Sequence, residues 1–589
     1  MSGKARRLTA LICGVLVLST LGQGRVSAES VDFDDGYIGP DHPEAGYLGV
    51  EFRQQDADGQ IFSWLGRQNN DFAACRDVNG DCETLDGNIE FTSLLPPCRA
   101  ENQNNCIAEL RSFSPDGSES AGQFNSFFPD RGWNDFVGDV SRGVPSGGPA
   151  SLWTFPGLSH VGGDLFFVRV GVSGKKVKNS YVVQTFQAGI TAVSPLEQQF
   201  CEEDETGLSQ NLQACSPRMT YLDEPRDGRM RGGFGLGGGS GTSSTSGSDC
   251  VMRGNYQGNG ICMTRRAFPG EMKFRLVVRL SQGPKGWLHG RLAEPDVTLT
   301  SLPKPMSGIQ ISVTGKSITV PVVQAGMQYS ELPAALQKDY ENANKWTGFR
   351  GLFGCCAGSR NYAEGWDTDM AKANYHSYPT AWSDHGIDEL AAWLPHIGDK
   401  ATADLSTWSI RTLSADEMND ANKCLTDDTR IVGIVTTNST QYSGGPPKYN
   451  RETATLDYRV AAPHYRSGGT KFFGIYNLIM RSDLARCLYG FSKAPLNASV
   501  SVVDDKGVTT VGTRNISEKD GWIKIAAYGF GFSVPTIKVK LTQGSKTAKQ
   551  KKITISCKKG KTIKKVSGKN PKCSAGYKKM KTQGLVILI

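Results

Sequence analysis

The densest group of side chains able to move protons lies between Trp366 and His396, where Asp367, Asp369, His376, Asp384, His385 and His396 occur together. Carboxylates and imidazoles gathered in one pocket can divide general acid and general base work, or hold a metal ion. Asp367, Asp369, Asp384 and His385 are therefore the candidates for catalysis, with a secreted glycan-acting hydrolase as the reaction class. The histidines stand nine and eleven residues apart, which matches no ligand spacing, and no H-E-x-x-H occurs. Such residues in turn-rich text are mostly solvated or structural, so the hydrolase is the alternative reading and not the first.

Asp77-Val78-Asn79-Gly80-Asp81 places oxygen side chains of Asp77, Asn79 and Asp81 at alternating positions, as calcium loops do. Cys82 stands where such loops have glycine, and no glutamate closes the loop at the twelfth place. An acidic turn clamped by Cys75 and Cys82 is the competing explanation. Beyond calcium at this loop, no cofactor is expected. Gly233-x-Gly235-x-x-Gly238 matches a dinucleotide fingerprint only as text, since neither strand nor helix flanks it. No P-loop and no G-x-S-x-G elbow occur. Ten tryptophans raise the option of sugar stacking, but Trp287, Trp408 and Trp522 all sit in strand-like text, where core packing is commoner.

The strongest chemical signal is charge. The formal charge is +8, yet fourteen lysines and no acid lie between 546 and 581, and four basic residues and no acid lie in the first 28. The remainder carries −10. An acidic body with a cationic tail points to a polyanionic partner for the tail. Lys558, Lys559, Lys561, Lys564, Lys565, Lys572, Lys578 and Lys579 are the candidate contacts. An anionic cell-wall polymer or polysaccharide is the expected partner. Charge alone does not separate these from nucleic acid, and nothing signals a specific nucleic-acid site. Ile553 to Cys557, Thr562 to Val566 and the return through Pro571 and Cys573 look like a small hairpin, with Tyr577 packing behind.

The beginning of the chain reads as a secretory signal: Lys4, Arg6 and Arg7, an apolar run from Leu8 to Leu21, then Val26-Ser27-Ala28. No later stretch approaches the ~20 apolar residues of a spanning helix. Past residue 28, fourteen cysteines remain, an even number, as expected for disulfides in an exported chain. Proximity suggests Cys75/Cys82, Cys98/Cys106, Cys201/Cys215, Cys250/Cys262 and Cys557/Cys573, with Cys424/Cys487 as a longer link. Connectivity does not follow from sequence, least of all for the adjacent Cys355 and Cys356. No C-x2-4-C knuckle pairs suggest zinc.

The elements that must carry these groups are mostly strands. Leu165 to Val170 and Tyr181 to Val183 read as buried strands joined by a turn at Gly174-Lys175-Lys176. From Met272 to Leu280 the even positions are apolar and most odd ones basic, which predicts a half-buried antiparallel strand with a solvated basic face. Ile309 to Val313, Ile431 to Val435, Thr455 to Val460, Phe472 to Met480, Trp522 to Ile525 and Ile537 to Leu541 follow the same style. Asp504 to Gly507 is a hairpin turn. Helices are expected from Glu331 to about Trp346 with Ser330 as cap, around Ile387 to Leu394, and after a Ser414/Glu417 capping box.

Two stretches carry a resemblance. The tail pattern Cys557-x15-Cys573, with Lys564-Lys565-Val566, Asn570-Pro571-Lys572 and Gly576-Tyr577-Lys578-Lys579, resembles the terminal module of exported proteins in freshwater actinobacteria. Ala485-Arg486-Cys487-Leu488-Tyr489-Gly490-Phe491, followed by Asp520-Gly521-Trp522 and Pro535-Thr536-Ile537-Lys538-Val539, is similar to an uncharacterised family from the same group. The likeness covers the last third of the chain. It implies an exported surface protein and transfers no site residues.

The expectation is a mainly β protein: sandwich-like antiparallel domains, a small α/β insertion and a cationic disulfide-closed C-terminal hairpin. Its segments are a signal peptide (1–28), a β-rich domain (29–227) and a Gly/Ser-rich flexible loop (228–248). A β-rich continuation or second β domain (249–329), a mixed β segment with short helices (330–494), a β module (495–544) and the lysine-rich tail (545–589) follow. The expected role is a non-enzymatic cell-surface or wall-associated binding protein retained by its tail.

Overall fold

The computed structural model describes residues 47–52, 63–68, 72–85, 87–128, 135–200, 248–252, 258–270, 272–345, 359–364, 374–427, 429–492, 496–504, 507, 509–510, 513–532, 534–543, 553–568 and 571–579. The expected signal peptide and most of the Gly/Ser-rich loop lie outside these residues, as do Cys201, Cys215, Cys355 and Cys356.

Alternating burial builds one long main sheet. Its consecutive members are Phe72–Ala74, Trp64–Gln68, Ile89–Leu94, Leu165–Val177, Ser180–Phe200, Ala403–Thr412, Gly286–Arg291, Ile431–Thr437, Phe473–Arg481, Trp522–Gly531 and Thr513–Lys519. All of these neighbours are antiparallel except Gly286–Arg291 with Ile431–Thr437. The ladders run across the limits expected from composition. Ser180–Phe200 pairs with both Gly258–Arg266 and Ala403–Thr412.

A five-stranded sheet covers one face. Its order is Ala293–Ser301, Ile309–Lys316, Lys273–Leu280, Cys106–Phe113, Glu119–Ala121. Phe274, Leu276, Val278 and Leu280 point inward against Phe166, Val168, Phe186, Ile190 and Trp408 of the main sheet. Lys273, Arg275 and Arg279 stay on the outer face, where Glu109 lies 3.7 Å from Arg275. The period-two reading of this strand therefore holds, and its basic face is solvated. The opposite face of the main sheet, at its other end, packs against a six-stranded sheet. Here Val435, Leu478, Met480, Ile523 and Ile525 meet Tyr458, Val500, Val502, Ile537 and Val539. The chain is thus mainly β and sandwich-like, with few helices.

The α component is small. Helix Ala334–Lys345 and helix Asp384–Trp393 share a core with Leu48, Val50, Phe52 and Val323, to which Leu336, Tyr340, Ile387, Leu390 and Trp393 contribute. The first helix begins later than expected. Tyr329–Glu331 is a 3-10 turn and Leu332 is extended (φ −60°, ψ 140°), because the residue before Pro333 is pushed out of helical conformation. Ser330 is therefore not its cap. Another expectation is corrected at the long hairpin. Gly174, Lys175 and Lys176 lie inside the strand Leu165–Val177, and the chain reverses at Lys178–Asn179, where Lys178 has φ 58°. Gly174 is needed there for close approach, since a Cβ would sit 2.1 Å from the Val182 carbonyl oxygen.

No helix among the described residues is long and apolar enough to cross a membrane. Among the described residues, four disulfides close Cys75–Cys82, Cys98–Cys106, Cys424–Cys487 and Cys557–Cys573, which fits a protein of an oxidising, extracellular setting. Cys250 and Cys262 stand opposite one another in strand register; their side chains are outside the description.

Candidate functional site

The cationic tail folds as expected and gains a third strand. Ile553–Lys559 and Thr562–Gly568 form a hairpin whose turn uses Gly560 at φ 60°, and Lys578–Lys579 adds on the far side of the first strand. Cys557 is 1% exposed and tied to Cys573, so the return segment is held against one face. Lys558, Lys559, Lys561, Lys564, Lys565, Lys572 and Lys578 are all exposed. Lys579 enters the ladder opposite Cys557, its side chain outside the description. Among the described residues no carboxylate pairs with any of these seven lysines. The disulfide-closed sheet therefore presents a dense array of single positive charges to solvent, a surface suited to a polyanion.

The acid and imidazole segment does not assemble as a pocket in what is described. Asp367 and Asp369, and the side chain of His376, lie outside the described residues. Asp384 opens the helix Asp384–Trp393, whose cap Ser383 accepts a hydrogen bond from the Gly386 N–H. Burial alone would raise the Asp384 carboxyl, but Ser443 donates to it at 2.7 Å and Lys448 at 2.9 Å, with Arg459 nearby at 3.7 Å. The net result holds it below the usual carboxylate range. A general acid needs the opposite displacement. His385 is half-buried on the same helix, and His396 is exposed.

At the acidic loop, the oxygens serve the protein's own donors. Asp81 accepts from the N–H groups of Arg76 and Asp77 at 2.8–3.0 Å, and Asp77 accepts from the Asn79 N–H at 2.9 Å. Burial alone would raise the Asp81 carboxyl, yet the backbone donors together hold it low. Asn79 spans Asp139 and Arg142. The one group of three ligand-type residues within mutual reach, among the described residues, is Cys75, Asp81 and Cys82. Both of its sulfurs belong to the disulfide. The arrangement is that of a clamped, internally bonded turn.

Trp287 and Trp408 are core residues, 1% and 0% exposed, each donating its indole N–H to a backbone carbonyl, Leu425 and Gly315 respectively. Trp522 is half-buried beneath the Arg481 guanidinium at 5.5 Å.

Sequence reasoning missed a polar cluster in the second core. His289 stacks on Tyr442 with ring centroids 4.0 Å apart, and Arg291 lies over the same ring at 4.6 Å while donating to the carbonyls of Thr437 and Ser439. Arg411 makes a two-pronged pair with Glu417 at 2.7 and 2.9 Å, donates to the Tyr442 hydroxyl at 3.1 Å and covers Trp382. The available signal was a strand, Trp287 to Arg291, carrying His and Arg within apolar text; the partners come from far along the chain. These contacts link the main sheet to the six-stranded sheet and read as structural.

Compared with models of known protein families and with curated proteins, the chain matches none.

Proposed function

We propose that this is an exported, non-enzymatic surface protein whose sandwich body serves binding or structure and whose cationic tail retains it on an anionic wall polymer. The observation that carries the reading is the closed three-stranded tail, with seven exposed lysines and, among the described residues, no carboxylate paired with them. Four disulfides agree with export. The glycan-hydrolase alternative draws no support from Asp384, whose carboxyl is held ionised by Ser443 and Lys448.

The test compares the full chain with a version ending at Gly544 on isolated cell walls. Exposed charges interact over ~8 Å at physiological salt and ~3 Å at 1 M. The full chain should bind at low salt and elute as salt rises, while the shorter chain stays in solution. Equal retention of the two would remove the anchoring role.

A further inference from the structure

The two faces of the tail sheet are unequal. On one, Cys557 is buried beneath the return segment. Lys559 runs so close to Gly576 that a Cβ there would sit 3.2 Å from its Nζ. Lys564 lies over the Tyr577 ring at 5.5 Å. The return segment therefore crosses this face and occupies two of its lysines. On the other face, Lys558 stands directly across from Lys578 in one ladder and from Ile563 in the other, and Lys565 lies one row along, across from Ser556. Ile563 is 53% exposed, so this side is open. Cross-strand geometry separates Lys558 from Lys578 by about 5 Å and from Lys565 by about 7–8 Å at Cβ.

The residue types restrict the ligand. From 546 to 589 every cation is a lysine, and Tyr577 is the one aromatic residue. Lysine offers a point charge and lacks the planar fork with which arginine grips carboxylates or guanine edges bidentately. Single-stranded nucleic acid is held on aromatic platforms, and the ring present here already lies under Lys564. Building on the retention reading above, we propose that Lys558, Lys565 and Lys578 form the docking face and that its ligand is a linear polyol-phosphate polymer. Such a chain carries isolated single charges along a flexible, uncharged backbone. Each phosphate meets one ammonium, and Ile563 rests against the aliphatic links.

The test uses the purified full chain with poly(glycerol phosphate), oligo(dT) and polygalacturonate as probes. K558Q/K565Q/K578Q and K559Q/K561Q/K572Q remove equal charge from different places. The first should weaken poly(glycerol phosphate) binding by about tenfold or more, the second by less than about threefold, since only direct ion contacts are lost in full. Equal losses would overturn the face assignment, and tighter binding of oligo(dT) or polygalacturonate would overturn the ligand. Mapping of Cys557–Cys573 checks that each variant stays closed. If one does not, K565Q against K561Q tests the same order. Should the chain ending at Gly544 bind every probe as the full chain does, the retention reading itself fails.

Discussion

Glu417 anchors one side of the buried polar cluster through Arg411. Its side chain is 2% exposed and its partner Arg411 12%. The same carboxylate also accepts from the Ser414 N–H, completing the capping box of helix Ala415–Met418. Removing one partner of a buried pair leaves an uncompensated charge, which costs about 3–5 kcal/mol, whereas replacing both by apolar groups is often near neutral. Glu417→Gln should lower the unfolding free energy by that amount in urea titrations. The double variant R411M/E417L should lose clearly less than the single; an equal or larger loss would mean that the pair is not the source of the effect. Acid sensitivity follows from other carboxyls. Thr429 and Arg430 hold Asp427 down at about 2, and Ser141 and Asn79 hold Asp139 at about 2. Unfolded aspartates titrate near 3.9. These folded values are lower, so the stabilisation is present above roughly pH 4 and disappears as pH falls toward 2. D427N/D139N should flatten that acid limb of the melting temperature and lower the plateau at neutral pH. A limb of unchanged steepness would assign it to other groups. Sequence reading found Ser414 and Glu417 as a local pattern, because a capping box is written in four consecutive residues. It did not find Tyr442 under His289 and Arg291, since contacts between such distant strands leave no local trace.

At the scale of elements, legibility tracked how much of the pattern was local. The strand Lys273–Leu280 was readable because one face is core and the other water, so burial copies the alternation residue by residue. Leu276, 1% exposed between two sheets, should cost about 2–5 kcal/mol on truncation to alanine. Arg275→Gln on the outer face should change stability by less than about 1 kcal/mol. Urea midpoints compare the two, and similar costs would mean that this strand is not the sandwich interface described. Helix Ser482–Tyr489 went unread, although Asp483 lies in its first turn, Arg486 in its last and Gly490 closes it at φ 66°. Its eight residues follow directly on a strand, so the change of period had little text in which to show. The turn at Lys178 was missed for a related reason. Four residues earlier, Gly174 advertises a turn, whereas its lack of a side chain serves the close packing of two strands.

The described residues form two sandwiches built on a shared sheet, with a small helical core beside them and a tail whose strands, among the described residues, pair only with one another. That sharing was not legible, because strand partners hundreds of residues apart leave no mark on composition; the Phe186 amide N–H, for example, donates to the Thr412 hydroxyl. The tail is different, since its size and cysteines say how it must be held. Its sheet spans residues 553–579, well below the ~40 residues under which a chain usually needs a disulfide, metal or partner to keep a fold. Its burial is correspondingly thin: Cys557 is its one fully buried side chain among the described residues. Cys557–Cys573 closes a separation of 16 residues, and a loop of that length restricts the unfolded chain by about 3 kcal/mol in the entropic model. That quantity is comparable to everything else such a sheet can muster. Dense lysines oppose it further, through mutual repulsion that eases as salt rises. C557S/C573S should therefore abolish amide-exchange protection across 553–568 at low salt while leaving the melting transition of the body where it was. Protection that survives in the double variant would mean that the body, or the hairpin's own packing, holds the tail; a body transition that shifts with it would mean that the two are not independent units.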